Sequence, residues 1–133
     1  MIKFENVSVT YPGGVEALKD LNLEIKDGDF IIIVGLSGAG KSTLLRTVNN
    51  LVKPSTGSVY LEGKNVTSAK KKELKKIRSQ IGMIFQTFNL VNRSTVLKNV
   101  LTGRLSNIST IRSILGLWPK DQKEMAFEAL NQV

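Results

Sequence analysis

Residues 35–42 run Gly-Leu-Ser-Gly-Ala-Gly-Lys-Ser, with glycine at the first and sixth places and a lysine and a hydroxyl at the last two. Each residue type has a chemical task at that spacing. Glycines let the backbone curl so that successive N–H groups point inward and form a nest for an anion. A helix beginning near Lys41 would add its positive end and its unpaired amides. Lys41 offers a compact ammonium that can reach the outer phosphates of a polyphosphate. Ser42 offers a hydroxyl to the Mg²⁺ that bridges such phosphates. The chemistry is the gripping of a triphosphate tail, with Gly35, Leu36, Ser37, Gly38, Ala39, Gly40, Lys41, Ser42 and Thr43 as the binding residues.

The pattern satisfies G-x-x-x-x-G-K-[ST] at every fixed position and reads as a P-loop. A dinucleotide fingerprint starting at Gly38 fails, because Thr43 stands where its third glycine should be. The flanking sequence must supply a strand before the loop and a helix after it. Phe30-Ile31-Ile32-Ile33-Val34 shows no alternation and is rich in β-branched residues, which predicts a strand covered on both faces. Leu44, Leu45, Val48, Leu51 and Val52 recur at spacings of three and four, which predicts a helix with one apolar face, stopped at Lys53-Pro54-Ser55-Thr56-Gly57.

Further elements are predicted around this centre. Ile2, Phe4, Val7, Val9 and Tyr11 alternate with polar residues but change phase once, which predicts a strand with a bulge near Glu5-Asn6. Leu21, Leu23 and Ile25 mark a second half-buried strand. Ser58 to Leu61 and Ile81 to Phe85 read as strands, and Ala69 to Ile77 as a basic helix. Beyond Ser94 the pattern turns helical, over Val96 to Leu105, Thr110 to Leu115 and Asp121 to Val133. Glu62 follows a short apolar strand but precedes Gly63, so it reads as a turn residue rather than a metal-supporting acid. No other acid ends an apolar run. The cradle is present in these residues without an evident base.

Composition narrows the chemistry further. The 133 residues contain no cysteine and no histidine, so disulfides, thiolate catalysis, imidazole bases and Cys/His zinc sites find no residues here. A hydrophobic fraction of 41% fits a globular core. The opening MIKFENVSVTYPGG does not read as a secretory signal, and no apolar run approaches the length of a membrane span. The net charge of +8 is uneven, with eleven Lys/Arg against Glu73 alone between Gly63 and Arg112. That asymmetry invites a nucleic-acid or membrane partner. The helix around KKKELKKIR lacks interleaved aromatics for stacking bases and lacks Trp or Phe for insertion into lipid, so a solvated face is expected there. Trp118, before Pro119, reads as a packing residue.

Together with the P-loop, several stretches carry a family likeness. Tyr11-Pro12-Gly13-Gly14 before Ala17-Leu18-Lys19-Asp20, Lys53-Pro54-Ser55-Thr56-Gly57 with Val59 and Gly63, and IGMIFQTF at 81–88 resemble the N-terminal half of an ABC-transporter ATPase subunit. The likeness covers essentially the whole chain. Residues 89–133, including a GRL segment and SILGLWPKDQ, resemble the stretch found in phosphonate-importer ATPases. The resemblance implies an α/β P-loop NTPase fold with an N-terminal antiparallel β-subdomain. It divides into a P-loop core with β-subdomain over about 1–90 and the start of a helical subdomain over about 91–133.

It further implies an ATPase that powers solute import with ATP and Mg²⁺, from the cytoplasmic face of the membrane as a peripheral subunit. Tyr11 would stack on adenine, against the simpler expectation of a strand-end aromatic packed on its own turn. Gln86 would be the Q-loop glutamine, catalytic beside Lys41 and a metal ligand beside Ser42. Transmembrane permease subunits and a second copy of the ATPase would be direct partners, a solute-binding protein an indirect one, and nucleic acid none. The family's signature segment, acid-ended strand and switch histidine do not occur in these residues. The resemblance therefore predicts a piece of a longer subunit, without turnover by itself. Two other classes stand beside it: an ABC-type ATPase that acts on nucleic acid without transport, and a basic binding module that keeps the P-loop only as a fold element.

Overall fold

The computed structural model describes residues 1–85 and 90–132, without the side chains of Asn107 and Thr110. The chain forms two compact units, Met1–Ile81 and Gly82–Val133. In the first, β1 (Ile2–Thr10), β2 (Glu16–Ile25), β3 (Thr56–Leu61) and β4 (Lys64–Asn65) make a four-stranded sheet in the order β2-β1-β3-β4. Every pairing in it is antiparallel. Two helices belong to this unit, α1 (Lys41–Val48) and α2 (Lys71–Arg78). Phe4 and Val7 of β1, Val59 and Leu61 of β3, Leu44 of α1, Ile77 of α2 and Val66 form one buried cluster.

The expected bulge in β1 is real, and its chemistry is local. Asn6 adopts a left-handed backbone (φ 48°), and the register slips between Phe4 and Val7. Asparagine tolerates that conformation because its short side chain bonds locally. Here the Asn6 side-chain amide donates to Asp20 at 2.9 Å, while its backbone N–H donates to the Asn22 side chain at 2.9 Å. Opposite the bulge, β3 passes so closely that a Cβ on Gly57 would lie 2.2 Å from the Asn6 carbonyl oxygen. Only glycine fits there. The phase change read in the sequence is thus a folded feature that joins three strands. At the start of β1 the Met1 ammonium donates to the carboxylates of Asp27 and Glu62.

Helix α1 ends four residues earlier than the apolar periodicity predicts. Asn50 turns left-handed (φ 54°), its N–H donates to the Thr47 carbonyl at 3.0 Å, and the Leu51 N–H donates to the Arg46 carbonyl at 2.9 Å. These two bonds close a Schellman cap, with asparagine in the place glycine usually takes. Conversely, β2 begins at Glu16, earlier than its Leu21 to Ile25 alternation suggests, because a second left-handed residue, Asp20 (φ 43°), resets the phase.

Two predicted strands do not form. Residues 30–34 have no ladder partner among the described residues, and Phe30 and Val34 are 88% and 87% exposed. The expectation of a strand covered on both faces is corrected accordingly. Ile81 to Phe85 likewise joins no sheet, and Ile84 is fully exposed. A strand is defined by hydrogen bonds to a neighbour. Composition reports a side chain's preference for a covered face, and nothing among the described residues provides the cover.

The second unit is helical: α3 (Val96–Thr102), a short 3-10 turn (Leu105–Asn107), α4 (Thr110–Ile114) and α5 (Lys120–Asn131). Thr95 caps α3 by accepting from the Lys98 N–H at 3.3 Å. Helices α3 and α5 pack together, and Leu101 and Ala126 are buried. Arg104 donates to Gln122 Oε1 at 3.0 Å, which gives the buried Gln122 a charged partner. Trp118 is partly buried, beside a shallow cavity also lined by Arg112, Leu117 and Lys123.

Candidate nucleotide-binding site

The site is built on the passage from residue 35 into α1. Gly38 and Gly40 both take left-handed backbones, with φ of 81° and 83°. These two residues turn the chain so that it can enter the helix directly from the loop. Gly40 is the N-cap of α1, and no side chain caps the helix start. The amides of the first helical turn are therefore left to an external acceptor, at the positive end of the helix.

Gly40 also fixes where the loop sits. A Cβ there would lie 2.2 Å from the Ala17 carbonyl oxygen and 3.3 Å from Leu18 Cδ2. The loop is consequently seated on the backbone of β2, which leaves no room for any other residue type. The sequence motif explains this glycine through the ligand. The fold explains it a second time through β2, and no signal in the sequence pointed to that contact.

Lys41 lies across the loop. Its ammonium donates to the carbonyls of Gly35 at 2.7 Å and Leu36 at 2.6 Å. An ammonium has three donors, so one proton is left to meet an anion held over the loop. Ser42 is exposed in the first turn, with Leu36 and Ser37 exposed in the loop itself. Thr43 is different: it is only 8% exposed, and its hydroxyl is 3.1 Å from the Tyr11 hydroxyl. Tyr11 itself is 37% exposed. The residue after β1 is therefore bonded to the first turn of α1, and Tyr11 and residues 35–43 form one constellation. Gln86 lies outside the described residues.

The arrangement suits a polyphosphate. Glycine backbones, the uncapped start of α1 and one lysine supply positive potential to the loop. Among the described residues no group of three or more His, Cys, Asp or Glu could hold a metal ion. Among the described residues, the lining suits a divalent cation bound as Mg²⁺ usually is, through few protein oxygens together with phosphates and water. Ser42 is the residue that would provide such an oxygen.

Comparison with known proteins identifies the family. The family model described as "ABC transporter" matches residues 18–133. The phosphonates import ATP-binding protein PhnC of Bacillus thuringiensis is 56% identical over 133 residues, covering the whole chain and 52% of the relative. PhnC 3 of Halalkalibacterium halodurans is 50% identical with the same coverage. The chain thus spans about half the length of the curated relatives it matches. Among solved structures, a dimeric post-hydrolysis state of the ATP-binding cassette MJ0796, bound to ADP and Pi, superposes with a TM-score of 0.82 at 37% identity. That match covers 98% of this chain and 56% of the other. CbiO1 of Clostridium perfringens, part of the complex cbiONQ, gives a TM-score of 0.70 at 31% identity over 93% of this chain and 46% of its own.

Proposed function

The chain belongs to the ABC transporter family, and from that premise we propose that it is the nucleotide-gripping half of an ATPase that drives import of phosphonates. The seating of Lys41 across a glycine cradle that opens into α1 is the observation that carries this function. The amides at the start of α1 and the ammonium would hold the β- and γ-phosphates of ATP, Ser42 would hold Mg²⁺, and Tyr11 would lie against the base. The metal supplies charge neutralisation on the phosphate oxygens. Gln86 would orient the attacking water and contribute to holding the metal.

Relatives named as phosphonate import proteins support the choice of solute, and a dimeric cassette supports a second copy as partner. Permease subunits would anchor the assembly at the membrane, with a solute-binding protein delivering cargo to them. No helix among the described residues is long and apolar enough to cross a membrane. The test is transport by the protein carrying this sequence, reconstituted with its permease in proteoliposomes. ATP-dependent uptake of a phosphonate should disappear in Lys41→Ala. Uptake that persists in that variant would refute the role given to the loop.

A further inference from the structure

Eleven of the chain's cations lie between Gly63 and Arg112, and the nucleotide site uses none of them. Six fall at the edges of or within α2: Lys70, Lys71, Lys72, Lys75, Lys76 and Arg78. Those at its start work against the helix, whereas Lys75, Lys76 and Arg78 in the last turn, and Glu73 in the first, suit its dipole. Lys70 is its N-cap residue, with no side-chain cap bond, and Lys71 and Lys72 follow in the first turn. Cations at that end oppose the helix dipole. Lys72 and Lys76 stand four residues apart, as do Lys71 and Lys75, and like charges at that spacing repel. None of the five ion pairs among the described residues involves a lysine of α2. Arg78 is the exception in kind, since it is committed to the carbonyls of Asn49 and Asn50.

These charges are also gathered in space. Lys64 from the β4 hairpin joins Lys70, Lys72 and Lys76 around a groove of about 420 Å³ whose floor is the fully buried Ile77. Among the described residues Glu73 is its only acid. The helix, held in the fold by Leu74 and Ile77, thus has a lysine-lined recess beside it. The lysines at the start of the helix oppose its dipole and make no ion pair among the described residues, which leaves them to an anion from outside.

We propose that the Lys64–Lys70–Lys72–Lys76 groove is a docking surface for the anionic headgroups of a membrane. The chemistry favours headgroups over nucleic acid. The lining has no aromatic on which a base could stack. Flexible ammonium groups match separate, mobile phosphates, which need no fixed fork. The surface rests on the importer function proposed above, since that function places the subunit beside a bilayer. It would add a direct electrostatic contact with the lipid, independent of any permease.

The experiment uses the protein carrying this sequence, phosphatidylcholine vesicles with and without phosphatidylglycerol, and co-sedimentation at several salt concentrations. Binding should require phosphatidylglycerol and weaken as salt rises. Each lysine replaced by Gln should lower partitioning about fivefold, and Lys70→Arg with Lys76→Arg should retain it. Lys70→Glu with Lys72→Glu should abolish sedimentation while raising the melting temperature, because the helix dipole is then opposed less. A groove that merely supports the fold would show the reverse change in stability. MgATP binding, measured on the same samples, reports both folding and the separate nucleotide function, so its loss would count against that function and not against the groove. Should the Glu variant not fold, the Gln variants decide the matter. Equal binding to neutral and anionic vesicles would overturn the proposal. So would tighter binding to duplex DNA than to vesicles, or complete displacement by inorganic phosphate at matched ionic strength.

Discussion

Gly57 and Gly63 share a left-handed backbone, with φ of 77° and 72°, yet they meet different surroundings. A Cβ on Gly63 has nothing within 4 Å, whereas one on Gly57 would strike the carbonyl oxygens of Asn6 at 2.2 Å and Glu5 at 2.4 Å. Gly63→Ala should therefore cost only the conformational penalty, about 1 to 2 kcal/mol. Gly57→Ala should cost clearly more, since backbone cannot move aside as a side chain can. Thermal unfolding of the two variants checks this, and equal melting temperatures would mean that β1 and β3 are less closely apposed than described. At this scale the sequence was legible wherever a motif fixed a residue type. The loop from Gly35 to Ser42 could be read directly, as could the bulge at Asn6. The bond between Tyr11 and Thr43 could not, because it joins residues thirty-two apart whose types allow many partners.

Among the elements, α1 and α2 are tied by one side chain. Arg78 at the end of α2 donates through Nε to the Asn49 carbonyl at 2.9 Å and through Nη2 to the Asn50 carbonyl at 3.0 Å. It thereby satisfies carbonyls that the end of α1 leaves open, with a charge that suits the negative pole of that helix. Arg78→Ala should lower stability by about 1 kcal/mol, and Arg78→Lys should recover little of it, since one ammonium cannot span both carbonyls in the plane of a guanidinium. Denaturant midpoints of the two variants test the point; full recovery by lysine would show that only charge matters. Nothing in KKKELKKIR distinguishes this arginine from the neighbouring lysines. Its role appears only once α1 ends at Asn49, and that ending in turn depends on Asn50 turning left-handed rather than on where the apolar periodicity stops.

For the molecule as a whole, the sequence conveyed the antiparallel sheet and the helical second unit better than the strand before the loop. Alternation of the Ile2 to Tyr11 kind is satisfied by neighbours close in sequence, β2 and β3, and so it folds as read. Phe30 to Val34 calls for neighbours on both sides, and the described residues offer none. The candidate nucleotide site takes its described geometry from within these elements: Gly40 sits on β2, Tyr11 meets Thr43, and Lys41 closes on its own loop. Titration calorimetry with MgATP on the protein carrying this sequence, beside its Lys41→Ala variant, tests that geometry most directly. A charge-assisted bond is worth roughly 1.5 to 3 kcal/mol, so the variant should bind at least about tenfold more weakly than the saturable binding of the unaltered protein. Equal affinities in the two, or no saturable heat in either, would contradict a triphosphate held by the amides and ammonium at residues 35–43.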